Sequence, residues 1–233
     1  LVNIPEYRLH VIENGKDTWG MKVVVGTEAT HTVIFSGELS MVAFAPYWNI
    51  PRSIVSNEII PGMRRDPNYL AHHDMEVLRG GVVLSEDVIG QLPSLDAASI
   101  SVRQRPGPNN SLGLVKFLFP NEYSIYLHDT PAKERFIPEM RAFSHGCIRL
   151  SEPVRLAEYL FQGDTTWTPE AIQEAMHAGK EQVVMLPHPI PVVIGYFTAW
   201  MDAQGRLNFR DDVYGHDARL ARELFLEDTL VAK

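Results

Sequence analysis

Short stretches of alternating apolar and polar residues constrain the fold of this chain more than any other feature. Residues 7–11 and 19–25 are apolar at every second position, and the Asn14-Gly15 pair between them is typical of a tight β-hairpin turn. Because strand side chains alternate between two faces, each stretch presents one apolar face to a core. Further short strands are predicted at Thr32–Phe35, Leu39–Phe44, Leu114–Phe119 and Ser124–His128.

The C-terminal part of the chain adds helices and a second hairpin. Ser151 predicts the cap of a helix that runs to about Phe161, and Thr168-Pro169 predicts the start of another that Gly179 ends. The pattern therefore favours a mixed, β-rich α+β fold with peripheral helices. The last predicted elements are strands at Val192–Met201 and Arg206–Arg210, joined by a turn at residues 202–205, and a short helix near Asp217–Phe225.

An irregular stretch interrupts the strands. The alternation stops at the run Pro46–Pro51, after which helix starts are predicted at Ser53 and at Asp66-Pro67. The turn-rich run Arg105–Asn110 ends this stretch, and strands resume after it. The sequence therefore predicts one domain over residues 1–233 with an inserted subdomain at about residues 48–108.

Composition limits the possible partners. With 233 residues, 45% hydrophobic and 21% charged, the chain is long enough to bury one substantial core. The formal charge of −8 argues against a protein that neutralises nucleic-acid phosphates. No apolar run reaches the roughly 18 residues that span a membrane, and no secretion signal opens the chain, which begins at Leu1. We therefore expect an excised or processed piece of a longer protein.

One segment carries most of the chemical information. The hexapeptide Ser144–Arg149 contains the single cysteine, Cys147, and His128 precedes it at the end of an apolar strand. A thiol is a good nucleophile once deprotonated, and a neighbouring imidazole either accepts the proton or stabilises the thiolate. Gly146 permits a tight turn that could direct the amides of Gly146 and Cys147 at one oxyanion. The segment predicts acyl transfer by Cys147, with His128 or His145 as the base.

Two other interpretations of these residues stay open. A single cysteine is often a small buried hydrophobic residue, and a histidine beside it is often a hydrogen-bonded loop residue. A zinc site formed by His128, His145 and Cys147, with help from the adjacent pair His72-His73, is the second alternative. It is weaker, because adjacent histidines point in diverging directions and no Cys-x-x-Cys or His-x-x-x-His pair is present.

The chain resembles a known enzyme family at these residues. His128, the spacing that follows it and the Ser-His-Gly-Cys-Ile-Arg hexapeptide are similar to the signature of L,D-transpeptidases with the YkuD-type fold. Over nearly the whole chain, the sequence also resembles the large Gram-negative branch of the family that is often called YcbB-like. The segments that carry this resemblance are Pro46–Pro51, Arg105–Pro108, Lys116–Asn121, His128–Pro131 and Tyr214–Asp217.

The resemblance implies both a fold and a reaction. The fold is a β-sandwich or barrel-like core with a lid inserted over the cleft at about residues 48–108. In the reaction, Cys147 attacks the carbonyl between the third, meso-diaminopimelate-type residue and the terminal D-Ala of a tetrapeptide stem, releasing D-Ala. An amine, typically the side-chain amine of the third residue of another stem, takes the acyl group and forms a 3-3 cross-link. By resemblance His128 is the base, while His145 lines the thiolate and oxyanion region.

Further residues are predicted to line the substrate and oxyanion region. Ser144 and Gly146 belong to it through the motif, and Trp48 contributes from the lid. Tyr126 lies two residues before His128 and shares its side of an extended strand, although a core-facing tyrosine is an open alternative.

Two positions depart from the family pattern. Arg149, where many members carry asparagine, has a forked guanidinium suited to a stem carboxylate, and the alternative is a structural pairing beneath the cysteine loop. Asp129 stands where glycine or serine often follows the histidine. The family uses the backbone carbonyl there to orient the histidine, so the Asp129 side chain is expected to be incidental.

The resulting prediction is a cysteine-dependent transpeptidase with no metal and no organic cofactor. Its predicted partners are peptidoglycan tetrapeptide stems, with carbapenem-type β-lactams as covalent inhibitors and no nucleic acid. The predicted location is the periplasm, with membrane attachment only through an N-terminal anchor of the full-length protein that this chain lacks. The alternatives are a lipoprotein lysine or water as the acceptor, a non-catalytic peptidoglycan-binding module, and a metal-dependent hydrolase.

Overall fold

The computed structural model of the chain describes residues 1–90 and 98–225. Its strands are β1 (Val2–Asn3), β2 (Arg8–Glu13), β3 (Lys16–Gly26), β4 (Phe35–Phe44), β5 (Trp48–Asn49), β6 (Met75–Arg79), β7 (Val82–Val83), β8 (Ser101–Gln104), β9 (Val115–Leu118), β10 (Leu127–His128), β11 (Ala142–Ser144), β12 (Ile148–Leu150), β13 (Gln182–Gly195), β14 (Ala199–Met201) and β15 (Leu207–Phe209).

The helices are α1 (Arg52–Ile54), α2 (Ile60–Arg65), α3 (Tyr69–His72), α4 (Glu86–Gly90), α5 (Pro153–Leu160), α6 (Pro169–His177) and α7 (His216–Leu224). A π-helical segment, Val55–Ile59, joins α1 to α2, and a 3-10 helix spans Lys133–Phe136. Within the described ranges, no helix is both long and apolar enough to traverse a bilayer.

The main sheet closes on itself into a barrel. The strands of the ring lie in the order β3, β12, β10, β9, β4, β13, β1 and β2, and β2 pairs back to β3. The ninth strand of the sheet, β11, pairs in parallel with β3 beside the ring. The pairs β1 with β13 and β10 with β12 are parallel, whereas the other neighbours in this ring are antiparallel. Closure gives each strand of the ring two partners, so the backbone polar groups are satisfied within the sheet.

The barrel interior holds the larger hydrophobic core. Side chains at alternate strand positions fill it, and Val23, Phe117 and Ile148 are fully buried there. Ala157 of α5 and Ile172 of α6 complete the same core from outside the ring. The predicted β-rich fold with peripheral helices is confirmed.

A second, smaller unit interrupts the barrel. The chain leaves the ring after β4 and returns at β9, which pairs directly with β4. Residues 48–104, named the insert here, contain the sheet β5-β8-β6-β7 and the helices α1 to α4. Val55, Ile59, Val77 and Val102 of the insert form a separate hydrophobic core.

Several predicted element boundaries are wrong. Thr32–Phe35 is not a separate strand, because the Thr32 hydroxyl bonds to the backbone of distant segments and β4 runs unbroken from Phe35. Ser151 does not cap α5, whose N-cap is Glu152 without a side-chain hydrogen bond. By contrast, Thr168 caps α6 as predicted, accepting a hydrogen bond from the Ala171 amide.

The largest error concerns β13. The sequence predicts a strand only from Val192, whereas β13 spans Gln182–Gly195, with a register shift between Met185 and Ile190 against β4. Prolines at positions 187, 189 and 191 hide this strand, because proline cannot donate a ladder hydrogen bond and is tolerated at irregular positions. The late hairpin is shorter than predicted and pairs only β14 with β15.

The insert is also more regular than the sequence suggests. Its four-stranded sheet was not predicted, because strands of two to five residues give little periodic signal. The predicted helix start at Asp66-Pro67 is wrong: Asp66 ends α2, and α3 begins at Tyr69.

Candidate active site

The candidate site is built on two parallel strands. In the β10–β12 pair, Leu127 lies opposite Ile148 and His128 lies opposite Arg149. Leu127 and Ile148 point into the barrel core. Because side chains alternate along a strand, His128 and Arg149 lie on the outer face, and Cys147, two residues before Arg149, shares that face. The sheet register thus places the predicted base opposite Arg149, which lies two residues after the predicted nucleophile.

Tyr126 joins this group, as the strand pattern predicts. Its ring lies edge-on to His128 with 5.7 Å between ring centroids. Burial raises the pKa of the Tyr126 phenol, and the neighbouring Cys147 raises it further. The phenol therefore keeps its proton and serves as a hydrogen-bond donor beside the thiol.

Ser144 shapes the cysteine loop from within. Its hydroxyl donates to the Cys147 carbonyl (2.5 Å) and accepts from the Gly146 amide (3.1 Å). Gly146 has a φ of +113°, where a side chain is strained, and an added Cβ would lie 3.3 Å from the His31 carbonyl oxygen. The Gly146 amide is therefore engaged within the loop, and the oxyanion role of the Gly146 and Cys147 amides stays a prediction.

A second layer of hydrogen bonds holds the loop in place. The Thr32 hydroxyl donates to the Gly146 carbonyl (2.8 Å) and accepts from the Gly26 amide (2.9 Å). The Tyr214 hydroxyl in turn donates to the Gly26 carbonyl (2.8 Å) and accepts from the Thr32 amide (3.2 Å). The sequence assigned no role to Thr32 or Tyr214; the one signal was the presence of Tyr214 in a segment that resembles the family.

The Cys147 thiol donates a hydrogen bond to the Ser124 carbonyl, with a sulfur–oxygen distance of 3.7 Å. Burial raises the pKa of the thiol, and the backbone N–H and hydroxyl of Tyr126 partly offset this by stabilising the thiolate. Among the described residues, neither His128 nor His145 hydrogen-bonds to the thiol. The resting group is a protonated thiol.

His128 is held as a neutral imidazole. Its ring is only 4% exposed, and Nδ1 lies 2.5 Å from the Asp129 carbonyl oxygen. A carbonyl only accepts, so Nδ1 carries the proton and Nε2 carries the free lone pair. Burial, together with the positive charge of Arg149, lowers the pKa of His128 to about 4. Nε2 is thus available as a proton acceptor at neutral pH.

The Asp129 side chain is not incidental. It is buried, accepts a hydrogen bond from the Leu114 amide (2.9 Å) and pairs with Lys133 Nζ (2.5 Å). A Cβ at Gly113 would lie 2.3 Å from its carboxylate, so the glycine is required for this contact. Asp129 therefore fixes the segment whose carbonyl orients His128.

Arg149 is a half-buried cation without a counter-ion. Its Nε is buried and has no hydrogen-bond partner, and no carboxylate in the described part of the chain forms an ion pair with it. The alternative of a structural pairing beneath the loop is therefore not observed. A guanidinium with free donors beside Cys147 is a ready partner for an anionic group.

The insert reaches the site at two points. The Trp48 side chain interacts with the Tyr126 hydroxyl. The His145 Nε2 lies 3.5 Å from Glu58 Oε1 in the π-helical segment, and both side chains are more than half exposed. His145 thus occupies the rim of the site, whereas His128 lies inside it.

The remaining histidines considered as zinc ligands lie in the insert. His72 Nδ1 is 3.0 Å from Asp66 Oδ2, and the His73 ring packs against Tyr69. In residues 1–90 and 98–225, no three His, Cys, Asp or Glu side chains group closely enough to hold a metal ion.

Comparison with known proteins identifies the family of the chain. The family described as YkuD, the L,D-transpeptidase catalytic domain, matches residues 1–183. The chain belongs to this family. A Haemophilus influenzae protein named "Putative L,D-transpeptidase" is 33% identical over 227 residues, which cover 94% of this chain and 44% of that protein. The chain thus spans less than half the length of that relative.

The match covers most of the chain. The match includes both strands that carry the candidate site and ends at residue 183, within β13. Tyr214 lies beyond it. This L,D-transpeptidase domain therefore supports its cysteine loop from a segment outside the matched region.

Proposed function

We propose that the domain is a peptidoglycan L,D-transpeptidase in which Cys147 is the acylated nucleophile and His128 is the base. The observation that carries the proposal is the β10–β12 register, which sets His128 opposite Arg149, with Cys147 immediately before β12, in a chain of this family. A buried neutral imidazole beside a thiol is the minimum that thiol-based acyl transfer requires.

In the first half-reaction, Cys147 Sγ attacks the carbonyl carbon between the third residue and the terminal D-Ala of a tetrapeptide stem. The thiol proton passes to His128 Nε2 as the sulfur–carbon bond forms. The carbon–nitrogen bond then breaks, the leaving nitrogen takes that proton, and D-Ala departs from a thioester. The Cys147 amide and the Tyr126 hydroxyl, which interacts with the thiol, are the proposed oxyanion donors.

In the second half-reaction, the side-chain amine of another stem attacks the thioester carbonyl. His128 Nε2 accepts the proton of the attacking nitrogen and returns it to the sulfur as the new amide forms. The product is a 3-3 cross-link. A lipoprotein lysine follows the same route as an amine, and water would instead yield a tripeptide stem.

The pKa directions at the site support a neutral resting pair. Burial raises the pKa of Cys147 and lowers that of His128, so both are uncharged before substrate arrives. Charge then develops only as the thiol attacks, within a site whose Asp129 carbonyl and Tyr126 donors are already oriented. The base is therefore assigned to His128, and His145 is assigned to the rim.

Arg149 is proposed to bind a carboxylate of the donor stem. The stem carries carboxylates at its third residue and at its terminal D-Ala, and the guanidinium beside Cys147 has an unpartnered Nε. An anion here would satisfy a buried donor as well as a charge.

The insert is proposed to act as a lid over this cleft. Trp48 meets Tyr126 beside the thiol, and Glu58 meets His145 at the rim, so the insert touches the site from two of its elements. A cover of this kind excludes water from the thioester and favours transfer to an amine. Because peptidoglycan is the proposed substrate, the periplasm is the proposed location, with anchoring to the inner membrane in the full-length protein.

A product assay tests the function. The domain is incubated with a disaccharide-tetrapeptide, and the products are followed by mass spectrometry beside a Cys147→Ala control. We expect free D-Ala and a dimer from the wild type and neither from the control. A tripeptide without dimer would make water the acceptor. Turnover by Cys147→Ala, or a carbapenem adduct on a residue other than Cys147, would show that the nucleophile is wrong.

A further inference from the structure

The thiol of Cys147 faces an acceptor that the mechanism does not use. Its hydrogen bond runs to the Ser124 carbonyl, not to either imidazole. Ser124 has a φ of +56°, in the left-handed region that non-glycine residues rarely occupy. Backbone strain of this kind persists only where the surrounding structure enforces it. The Ser124 side chain is exposed, so its backbone, not its hydroxyl, is the part in contact with the site.

Asn121 enforces the shape of this turn. Its side-chain amide donates to the Phe119 carbonyl (2.6 Å) and the Ile125 carbonyl (2.8 Å). Its side-chain oxygen accepts from the Tyr123 amide (3.0 Å) and the Ile125 amide (3.1 Å). One side chain thus ties the end of the strand before the turn to the residue after Ser124, which leaves the Ser124 carbonyl no freedom to rotate away.

We propose that the Ser124 carbonyl is a catalytic group that holds the thiol proton of Cys147 in the resting enzyme, and that Asn121 is the positioning residue that aims it. The proposal rests on the proposed function, since it assumes that Cys147 is the nucleophile. When substrate binds, the S–H bond turns from Ser124 to His128 Nε2. The proton then moves to that nitrogen as the sulfur–carbon bond forms, and the carbonyl keeps the idle thiol protonated.

The other groups around the thiol determine in which direction its pKa should change when the Ser124 carbonyl is moved away. From β10 and its approach, Tyr126 presents an N–H and a hydroxyl, and His128 presents a neutral ring. From β12, Arg149 presents a positive charge, while the His145–Glu58 pair lies at the rim. Tyr126 and Arg149 stabilise the thiolate, whereas the Ser124 carbonyl stabilises only the thiol. Removing the carbonyl from the sulfur therefore lowers the pKa of Cys147.

Two substitutions at one position isolate the backbone effect. Ser124→Gly and Ser124→Val both remove the hydroxyl, but glycine holds a positive φ without strain and valine does not. The readout is the rate of alkylation of Cys147 by iodoacetamide as a function of pH, which gives the thiol pKa without any substrate. We expect the wild-type pKa in Ser124→Gly and a pKa lower by about half a unit to one unit in Ser124→Val.

Asn121→Ala tests the positioning residue independently and covers the case in which Ser124→Val fails to fold. It removes four hydrogen bonds of the turn without adding a charge, and we expect the same downward shift of the thiol pKa. Melting curves confirm that each variant is folded at the assay temperature. A thiol pKa equal to the wild-type value in Asn121→Ala, or equal in the glycine and valine variants, would overturn the proposal.

These outcomes are separate from those of the proposed function. Alkylation requires only the thiol and its surroundings, whereas the product assay requires a stem peptide. A lowered pKa in Ser124→Val together with no D-Ala release by the wild type would contradict the reaction and leave the role of the turn intact. Normal transpeptidation by the wild type with an unchanged thiol pKa in all three variants would support the reaction and contradict the role of the turn.

Discussion

The barrel and the insert are held together in different ways. The barrel sheet closes on itself, and core residues such as Phe117 and Ile148 are fully buried. The insert sheet is open and its core is smaller, although Val77 and Val102 within that core are as deeply buried. A closed ring resists local opening better than a short open sheet with a small core.

This difference parallels the placement of the chemistry. His128 stands on the barrel strand β10 and Cys147 immediately before its neighbour β12, while Trp48 and Glu58 reach the site from the insert. The reacting groups need fixed geometry, because small misplacements reduce the rate steeply. A cover needs the freedom to admit a large substrate. The difference therefore favours a rigid candidate catalytic face on the barrel beside an adjustable cover formed by the insert.

The largest effect is expected for His128, the proposed general base on the barrel. His128→Gln removes the proton acceptor, so kcat/KM for the tetrapeptide should fall about 10²- to 10⁴-fold. Trp48→Phe keeps an aromatic ring on the insert but removes the indole N–H, and less than about a tenfold fall is expected because one neutral hydrogen bond is lost. Steady-state kinetics on both variants checks this. Equal losses would break the division between catalytic face and cover.

Core substitutions should show that the two units open separately. Phe117→Ala in the barrel is expected to reduce the free energy of unfolding by about 3–5 kcal/mol. Ile59→Ala in the insert, at 3% exposure, should reduce it by about 2–5 kcal/mol locally. Amide hydrogen exchange distinguishes them: barrel amides should lose protection only in Phe117→Ala. Faster exchange of barrel amides in Ile59→Ala would mean that the two units form one cooperative structure.

Acid should destabilise the barrel through His128. Its pKa of about 4 lies below the ordinary value near 6.5, so the unfolded chain binds the proton first as pH falls. The contribution is fully present above about pH 6.5 and declines toward pH 4, by about 2–3 kcal/mol at pH 4.5. Denaturant unfolding at about pH 6.5 and at pH 4.5 should show this loss in the wild type and in Cys147→Ala, but not in His128→Gln. An equal loss of unfolding free energy on acidification in all three proteins would contradict the buried neutral imidazole of His128.

The sequence predicts local features of both units better than distant ones. The hairpin of β2 and β3 follows from alternation and the Asn14-Gly15 turn, because all the information lies within twenty residues. The closure of the ring does not, since it depends on pairings between segments far apart in the chain, such as β1 with β13. The prolines within β13 remove its local sequence signal, so this strand too is recognised only through the strands that pair with it.

The candidate site shows the same limit. Cys147 and His128 are predictable because their residue types and spacing carry the chemistry. The burial of His128 and the exposure of His145 are not predictable, because identical side chains differ here only in burial and partners. Ser124 gives no signal at all, since its contribution is a backbone carbonyl in a left-handed turn. The Tyr214 contact joins residues 188 positions apart.

Tyr214→Phe should weaken the support of the cysteine loop from the barrel side. The lost hydroxyl leaves the Gly26 carbonyl and the Thr32 amide without their partner, at a cost of about 1–3 kcal/mol in the free energy of unfolding. Acylation should slow, while KM stays near the wild-type value. Tyr159→Phe is the matched control, because its hydroxyl bonds to Glu13 at the surface. Equal effects of both variants would remove the special role of Tyr214.

The smallest effect is expected where insert and barrel meet. Glu58 and His145 form a contact whose side chains are 54% and 58% exposed, and exposed pairs contribute less than about 1 kcal/mol. Glu58→Gln should therefore leave the free energy of unfolding nearly unchanged and alter KM by no more than a few-fold. Glu152→Gln, which loosens an exposed pair with Arg155 on α5, is the control for stability and should leave KM unchanged. A fall in kcat as large as that of His128→Gln would mean that the cover is part of the catalytic face, and the contrast between the two units would fail at its contact point.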